Sequence, residues 1–508
     1  MEETYSLAAD ADATVLKRRS VRGAAMTFAA QGTRSVLQLG SQIVLAHLLL
    51  PTEFGLIAMV APVLNLVQIF NELGLTQATV QRAEISHSEL SSLFWVNVAI
   101  SSGLALLMAL ASPLVAWIYG EPSLVLITIC LASLLVMSGI SAQQIALMNR
   151  RMQFGALATI DVACMIAAVV AGVTAAWLGF GYWSLVLMQA ANSLTVMVLA
   201  WGLSDWRPSW PRRGVDIGAL LRFGGHLTAF NILGYVESSL SNILIGALNG
   251  AMALGLYDRA FKLVVVPWSQ FTLPIARVAV TLLARLHGTE DLYVRANDRM
   301  LQGLLLVAVP GLVWVAMVSD LLVPLVLGPE WVQAAPIVTA LAVGACFFPL
   351  GTAGYWLFVS QNRVREQLRY GAISGALLLV SMLIGVHWGA VGIADTYAGS
   401  AILVQGASLW GATRRGPVRL PGVLRALYPI VVALLLAGLS VAVAERMLER
   451  AGAGTGLRLG AGLLLSYGVC AAALVCMPPG LRILRDVWDL RSTLHRAPGL
   501  ASPALPNP

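Results

Sequence analysis

The sequence predicts an all-α, polytopic membrane protein with about fourteen transmembrane helices, built as two six-helix lobes followed by two further helices. Three observations carry that expectation. Hydrophobic residues make up 58% of the 508 positions, charged residues 11%, and the mean hydropathy is +0.80; a water-soluble globule has no interior large enough to hide so much apolar side chain. Apolar windows of about 20 residues, the length that crosses roughly 30 Å of hydrocarbon, recur along almost the whole chain. The two halves also resemble one another at an offset of 200 residues.

The expected span cores pair as 24–49 with 55–80, 92–118 with 123–148, and 156–178 with 181–203. A charged break follows. The series resumes with 223–248 and 256–283, 300–319 and 331–359, 368–387 and 389–411, and closes with 426–444 and 457–477. The domain plan is therefore an N-terminal tail over 1–22, a lobe over 23–203, a linker over 204–222, a lobe over 223–411, two additional helices within 412–477 and a C-terminal tail over 478–508. The N-terminal stretch is acidic and then basic, without the short apolar core of a cleavable signal. Both tails are expected to be cytoplasmic, the first of them mobile.

Orientation follows from the basic residues. With the N-terminus in the cytoplasm, 25 of the 32 Lys and Arg fall in cytoplasmic tails and loops, and only Arg446, Arg450 and Arg458 face outward. That asymmetry is the positive-inside pattern, and it suits an even number of spans. The net charge of +7 is mostly this topogenic signal, so nucleic acid is not an expected partner. Outward loops are short and inward loops hold no Gly-rich phosphate motif ending in Lys-Ser or Lys-Thr, which argues against an external catalytic domain and against ATP hydrolysis by this chain. Cys130, Cys164, Cys346, Cys470 and Cys476 show no metal-ligand spacing and read as packing residues. No metal, cofactor or catalytic residue is expected. His226 reads as a helix-packing residue before a cavity lining.

The repeat is read from GLIAMV at Gly55 against GLYDRA at Gly255, and from polar residues on the preceding helices. Gln31, Ser35, Gln38 and Gln42 correspond to Asn231, Tyr235, Ser238 and Asn242, and steps of four, three and four keep each set on one helical face. Because each lobe has an even number of spans, the repeat is parallel, with its axis along the membrane normal. Two such bundles can expose a central cavity alternately to each side. The polar stripes either line that cavity or glue helices together by hydrogen bonds.

Four cations remain, all within expected spans: Arg34, Arg259, Lys262 and Arg277. At 100° per residue, Arg259, Lys262, Gln270 and Arg277 fall at about 0°, 300°, 20° and 0° on the eighth helix. Arg259 and Arg277 stand about 27 Å apart along it, and Pro267 and Pro274 are expected to bend it. A cation at the bilayer centre costs about 3 kcal/mol or more, so a hydrated, inward-facing position is the usual solution, and such a lumen attracts anions. The structural alternative is an i, i+4 ion pair between Asp258 and Lys262, with the longer side chains snorkelling to the headgroups. Among acidic residues, Glu237, Asp161 and Asp395 are candidates for a coupling ion or for neutralising a cation; Glu72 reads as a helix end.

The segments LLLPTEFGLIAMVAPVLNLVQIFNELGLTQATVQ, ALMNRRMQF and GALNGAMALGLYDRAFKLVVVPWSQFTLPI carry a resemblance. Together they resemble the Wzx-type polysaccharide flippases, of the WzxC-like variety, over roughly residues 20–480. That superfamily also holds multidrug and toxin extruders and the peptidoglycan lipid flippase. The resemblance implies twelve core helices in two MATE-like lobes, often with two more at the C-terminus. It implies an undecaprenyl-pyrophosphate-linked oligosaccharide as cargo, carried across the bacterial inner membrane, with membrane lipids, the polysaccharide polymerase and the chain-length machinery as partners. Cations on the first and eighth helices would meet the pyrophosphate, which here means Arg34, Arg259, Lys262 and Arg277. Gln38, Gln42 and Asn242 would bond sugar hydroxyls, and Tyr235 and Trp268 would pack on sugar faces. The second helix departs from the family pattern, with Asn65, Gln68 and Glu72 but no cation. The rival readings are a drug or metabolite extruder, a membrane glycan polymerase or ligase, and a scaffold; the cations within spans, and the short outward loops, disfavour all three.

Overall fold

The computed structural model describes residues 4–6, 31–34, 36–72, 84–210 and 218–481. Eleven stretches among these are helical, long and apolar enough to cross a membrane, and two of them, Pro329–Ser360 and Val364–Thr413, each contain two successive α-helices. The protein is a multi-pass helical membrane protein. Cα packing divides it into two compact units, Met1–Asp258 and Arg259–Pro508.

In the first unit, helix α1 (residues 36–48) is followed by α2 (Pro51–Glu72), α3 (His87–Tyr119), α4 (Leu124–Arg150), α5 (Phe154–Trp177) and α6 (Trp183–Leu203). Helices α3 and α4 form one antiparallel hairpin, α5 and α6 another, and α4 packs on α6 to join them. The start of α3 is fixed locally. The Ser86 hydroxyl accepts from Glu89 N at 3.2 Å while a Glu89 carboxylate oxygen accepts from Ser86 N at 2.8 Å, so two donors left over at the helix start are satisfied together.

Helix α7 (Gly218–Arg285) crosses from the first unit into the second. It is broken at Gly250, where φ is 81° and ψ is −180°, a conformation that glycine adopts without steric cost. The chain restarts at Ala251 and immediately packs on α2. A Cβ placed on Gly55 would lie 1.8 Å from the Ala251 carbonyl oxygen, and one on Gly255 would lie 1.8 Å from the Pro51 oxygen. Residues 51 and 251, like 55 and 255, are equivalent under the offset of 200 seen in the sequence, so the two helices make one contact reciprocally. Only residues without a side chain permit backbones to approach so closely.

The second unit continues with α8 (Glu290–Val326), a 3-10 turn at Pro329–Ala334, α9 (Ala335–Ala345), α10 (Phe348–Ser360), α11 (Val364–Gly385), α12 (Gly389–Thr413), α13 (Leu420–Arg450) and α14 (Thr455–Cys476). Its core runs between α7, α8, α10, α12, α13 and α14, with Trp356, Phe358, Leu301 and Ile430 fully buried. The last hairpin, α13 with α14, is fastened to α8 by polar side chains reaching main-chain carbonyls. Ser466 donates to Pro310 O at 2.7 Å, Trp314 to Leu459 O at 3.2 Å and Gln302 to Ala426 O at 3.0 Å. In hydrocarbon, such bonds hold helices where the hydrophobic effect does not discriminate between helix and lipid.

Three details add to the expected plan. The all-α architecture carries one short addition, Thr4–Ser6 (β1) paired antiparallel with Glu84–Ser86 (β2), Tyr5 opposite Ile85, which ties part of the expected mobile tail to the start of α3. Helix α7 stays helical through residues 267 and 274, and its non-helical point is Gly250. The expected 204–222 linker begins as packed structure: Trp206 is buried, Trp210 stacks on Trp95 with ring centroids 5.3 Å apart, and Trp95 Nε1 donates to Ser209 O at 3.0 Å.

Candidate functional site

Among the expected binding residues, Arg34 is helical and exposed, just before α1, and its guanidinium lies 3.6 Å from the Asp161 carboxylate of α5. Both side chains are about half exposed, at 45% and 50%. A pair that open contributes about 1 kcal/mol or less, so either member can exchange its partner for another ion. Asp161 is thus a counter-ion to Arg34, one of the roles its sequence position suggested. Gln38 is exposed on α1, Gln42 half-buried on the same helix, and Asn242 half-buried on α7. The side chains of Ser35, Glu72, His226, Asn231, Tyr235, Glu237, Ser238 and Gln270 lie outside the described residues.

Around the GLYDRA motif, Asp258 is buried while Arg259 and Lys262 are half-buried, and all three have interaction partners within the protein. Arg277, eighteen residues beyond Arg259, opens onto a cavity of about 780 Å³ inside the second unit. Helices α7, α10 and α12 build it. From α7 come Trp268, Thr272 and Arg277; from α10, Phe348, Thr352 and Tyr355; from α12, Tyr397 and Gln405. Trp268 and Phe348 meet edge to face at 5.9 Å, which fixes the aromatic wall. Gly351 makes room for the Gln405 amide, since a Cβ there would overlap it at 1.4 Å. The Thr272, Thr281 and Thr352 hydroxyls donate to carbonyls one turn back on their own helices, at 3.0, 2.9 and 3.0 Å.

This lining combines one cation, flat aromatic faces, an amide and hydroxyls. Such a surface suits a polar, hydroxyl-rich molecule carrying negative charge, because Arg holds an anion through paired donors while tryptophan and tyrosine cover apolar sugar faces. The sequence reading found Trp268 and Arg277 and missed the contributions of α10 and α12. A signal existed: Phe348, Gly351, Thr352 and Tyr355 follow i, i+3, i+4, i+7 spacing, which places them on one helical face.

Asp395 does not join that cavity. With Asp320 of α8 and Thr339 of α9, it lines another, of about 600 Å³, where the Ser319 and Thr339 hydroxyls are 2.6 Å apart. No group of three or more His, Cys, Asp or Glu is placed to hold a metal among the described residues.

Comparison with known proteins bears on this arrangement. The polysaccharide biosynthesis protein family matches residues 44–336, more than half of the chain. The chain belongs to that family. Among its relatives in the polysaccharide biosynthesis family, the lipopolysaccharide biosynthesis protein WzxC of Escherichia coli (strain K12) is 27% identical over 390 residues, covering 74% of this chain and 77% of that protein. The teichuronic acid biosynthesis protein TuaB of Bacillus subtilis (strain 168) is 24% identical over 328 residues, covering 62% and 65%. In three dimensions the chain is similar to the lipid II flippase MurJ in an inward closed conformation, with a TM-score of 0.68 at 11% identity over 89% of this chain and 98% of that one. The family member thus has the fold of that flippase, and the Wzx-type resemblance read from its motifs holds.

Proposed function

We propose that the protein is a flippase that carries undecaprenyl-pyrophosphate-linked oligosaccharide repeat units, of an O-antigen or exopolysaccharide, from the cytoplasmic to the periplasmic leaflet of the bacterial inner membrane. The observation that carries the proposal is the cavity where Arg277 stands among Trp268, Tyr355, Tyr397 and Gln405. A lipid-linked glycan can leave its hydrocarbon tail in the bilayer, but its diphosphate and sugars cannot cross hydrocarbon bare. The protein need only replace their hydration, through guanidinium groups for phosphate and aromatic faces, amide and hydroxyls for sugar.

Transport then proceeds by alternating access, with no bond made or broken. Arg34 begins paired with Asp161 and exchanges that weak partner for a phosphate oxygen, leaving Asp161 free to accept a proton or cation. Asp395, beside Asp320, is a second place for a coupling ion. Both termini are cytoplasmic in this reading, as the basic loops require, and the polysaccharide polymerase and chain-length machinery receive the product.

The test is transport in a strain lacking the gene. Wild type restores surface polysaccharide, whereas Arg277→Gln and the Arg34→Ala, Arg259→Ala double variant reach the membrane yet let lipid-linked repeat units accumulate on the cytoplasmic side. Full polysaccharide from both variants would refute the cargo assignment. Unchanged polysaccharide with altered drug sensitivity on deletion would point instead to an extruder.

A further inference from the structure

Where α11 begins and α12 ends, arginines converge on a second-unit cavity of about 520 Å³ that the transport reading does not use. Arg369, Arg414 and Arg415 line it together with Glu366, Tyr370 and Ile373. Its scaffold is already satisfied. Arg363 spends its guanidinium on the end of α12, donating to Ala412 O at 2.8 Å, Gly411 O at 3.1 Å and Arg415 O at 2.6 Å. It also holds both oxygens of Glu366, at 3.1 and 2.7 Å, so the one carboxylate in the cavity is largely neutralised. Arg369, Arg414 and Arg415 are exposed, Arg415 reaching Glu366 only at 3.6 Å and Arg414 resting over the Trp410 ring at 4.1 Å. The cavity therefore presents a net positive charge to its surroundings.

Its second feature is apolar. Arg369, Ile373, Leu377, Val380 and Ile384 lie one or two turns apart on one face of α11, and the four aliphatic residues are between 36% and 64% exposed. From Ile373 to Ile384 the stripe is about 16 Å long, close to half of a hydrocarbon core of roughly 30 Å. Of the 22 residues of α11, only Met382 and Gly385 are buried.

We propose that this cavity binds the phosphate headgroup of an anionic phospholipid, with an acyl chain laid along the stripe from Ile373 to Ile384. The charge selects phosphate, and the length of one leaflet selects a membrane lipid over free phosphate. Arg363 and Glu366 are positioning residues that hold the cavity open. The site is independent of the cargo reading, because none of its residues lines the Arg277 cavity.

The test uses the full-length protein in nanodiscs of phosphatidylcholine with and without phosphatidylglycerol, followed by native mass spectrometry of retained lipid. Wild type retains phosphatidylglycerol in preference to phosphatidylcholine, and retention falls as salt is raised. Each of Arg369→Ser, Arg414→Ser and Arg415→Ser weakens it about five-fold, and the three together about hundred-fold. Removing the same charge at Arg295 and Arg299 leaves retention unchanged. If the triple serine variant does not fold, the triple lysine variant keeps the charge and retains the lipid. Equal retention by the folded serine variant, equal loss in the Arg295, Arg299 control, or lipid displaced by inorganic diphosphate but not by added phosphatidylglycerol, overturns the proposal.

Discussion

Replacing Gly55 by alanine tests the reciprocal crossing of α2 on the start of the second half of α7. Its methyl would stand 1.8 Å from the Ala251 carbonyl oxygen, whereas ordinary contact begins at 3.4 Å. The backbones must separate by about 1.6 Å, and because neither can rotate away as a side chain would, the cost lies toward the top of the usual overpacking range, about 3 kcal/mol. Gly255→Ala meets Pro51 O at the same 1.8 Å and carries the same penalty. Once one methyl has forced the helices apart the other finds space, so the double variant costs less than the two singles summed. A useful control is Gly40→Ala, which has nothing within 4 Å and gains about 0.5–1 kcal/mol from lower backbone freedom. The assay is thermal unfolding of purified protein in detergent, followed by tryptophan fluorescence: Tm falls by several degrees for each of the first two variants and does not fall for the control. Additive losses in the double variant, or Gly55→Ala behaving like Gly40→Ala, would refute the contact.

Other outcomes follow from the same geometry. Arg277→Gln leaves Tm unchanged because the side chain is exposed, yet abolishes polysaccharide export, while Arg277→Lys retains part of it; export assays in the deletion strain check both. Arg458→Met strands Glu445, whose side chain is only 16% exposed, and destabilises by about 3–5 kcal/mol, with Glu445→Gln restoring part of the loss in unfolding curves. Asp161→Asn changes stability by about 1 kcal/mol or less, since its pair with Arg34 is half exposed, so any loss of transport reports on function and not on folding. Gly351→Ala pushes the Gln405 amide out of place and lowers transport without lowering the amount of protein in the membrane, measured by immunoblot.

Much of this was legible in the chain because hydrocarbon imposes a simple rule: a span must be apolar and helical over a fixed length. The expected spans 92–118, 123–148, 156–178 and 181–203 overrun α3 to α6 by no more than two residues at any end, and the boundary between 248 and 256 contains the Gly250 break. Gly55 and Gly255 were recognised as equivalents, yet nothing in the letters says that equivalents touch; that requires the helices to be placed in space. Arg277 was identified because charge is expensive in a membrane. Tyr355, Tyr397 and Gln405 were not, because neutral aromatic and amide residues are as common in helix packing as in a binding wall. The strand at residues 4–6 escaped for a different reason, since three residues carry too little pattern to announce a pairing whose partner lies some eighty positions away.

That short strand has a topological consequence. By zipping onto residues 84–86 it closes a ring that includes α1 and α2. Any excursion of those helices must be absorbed within the ring or must first unzip its clasp, and a clasp of three residues opens readily. A bulky fusion ahead of Met1 would pull on that clasp directly, so the end chosen for a tag selects which movements of α1 and α2 an experimenter is able to see.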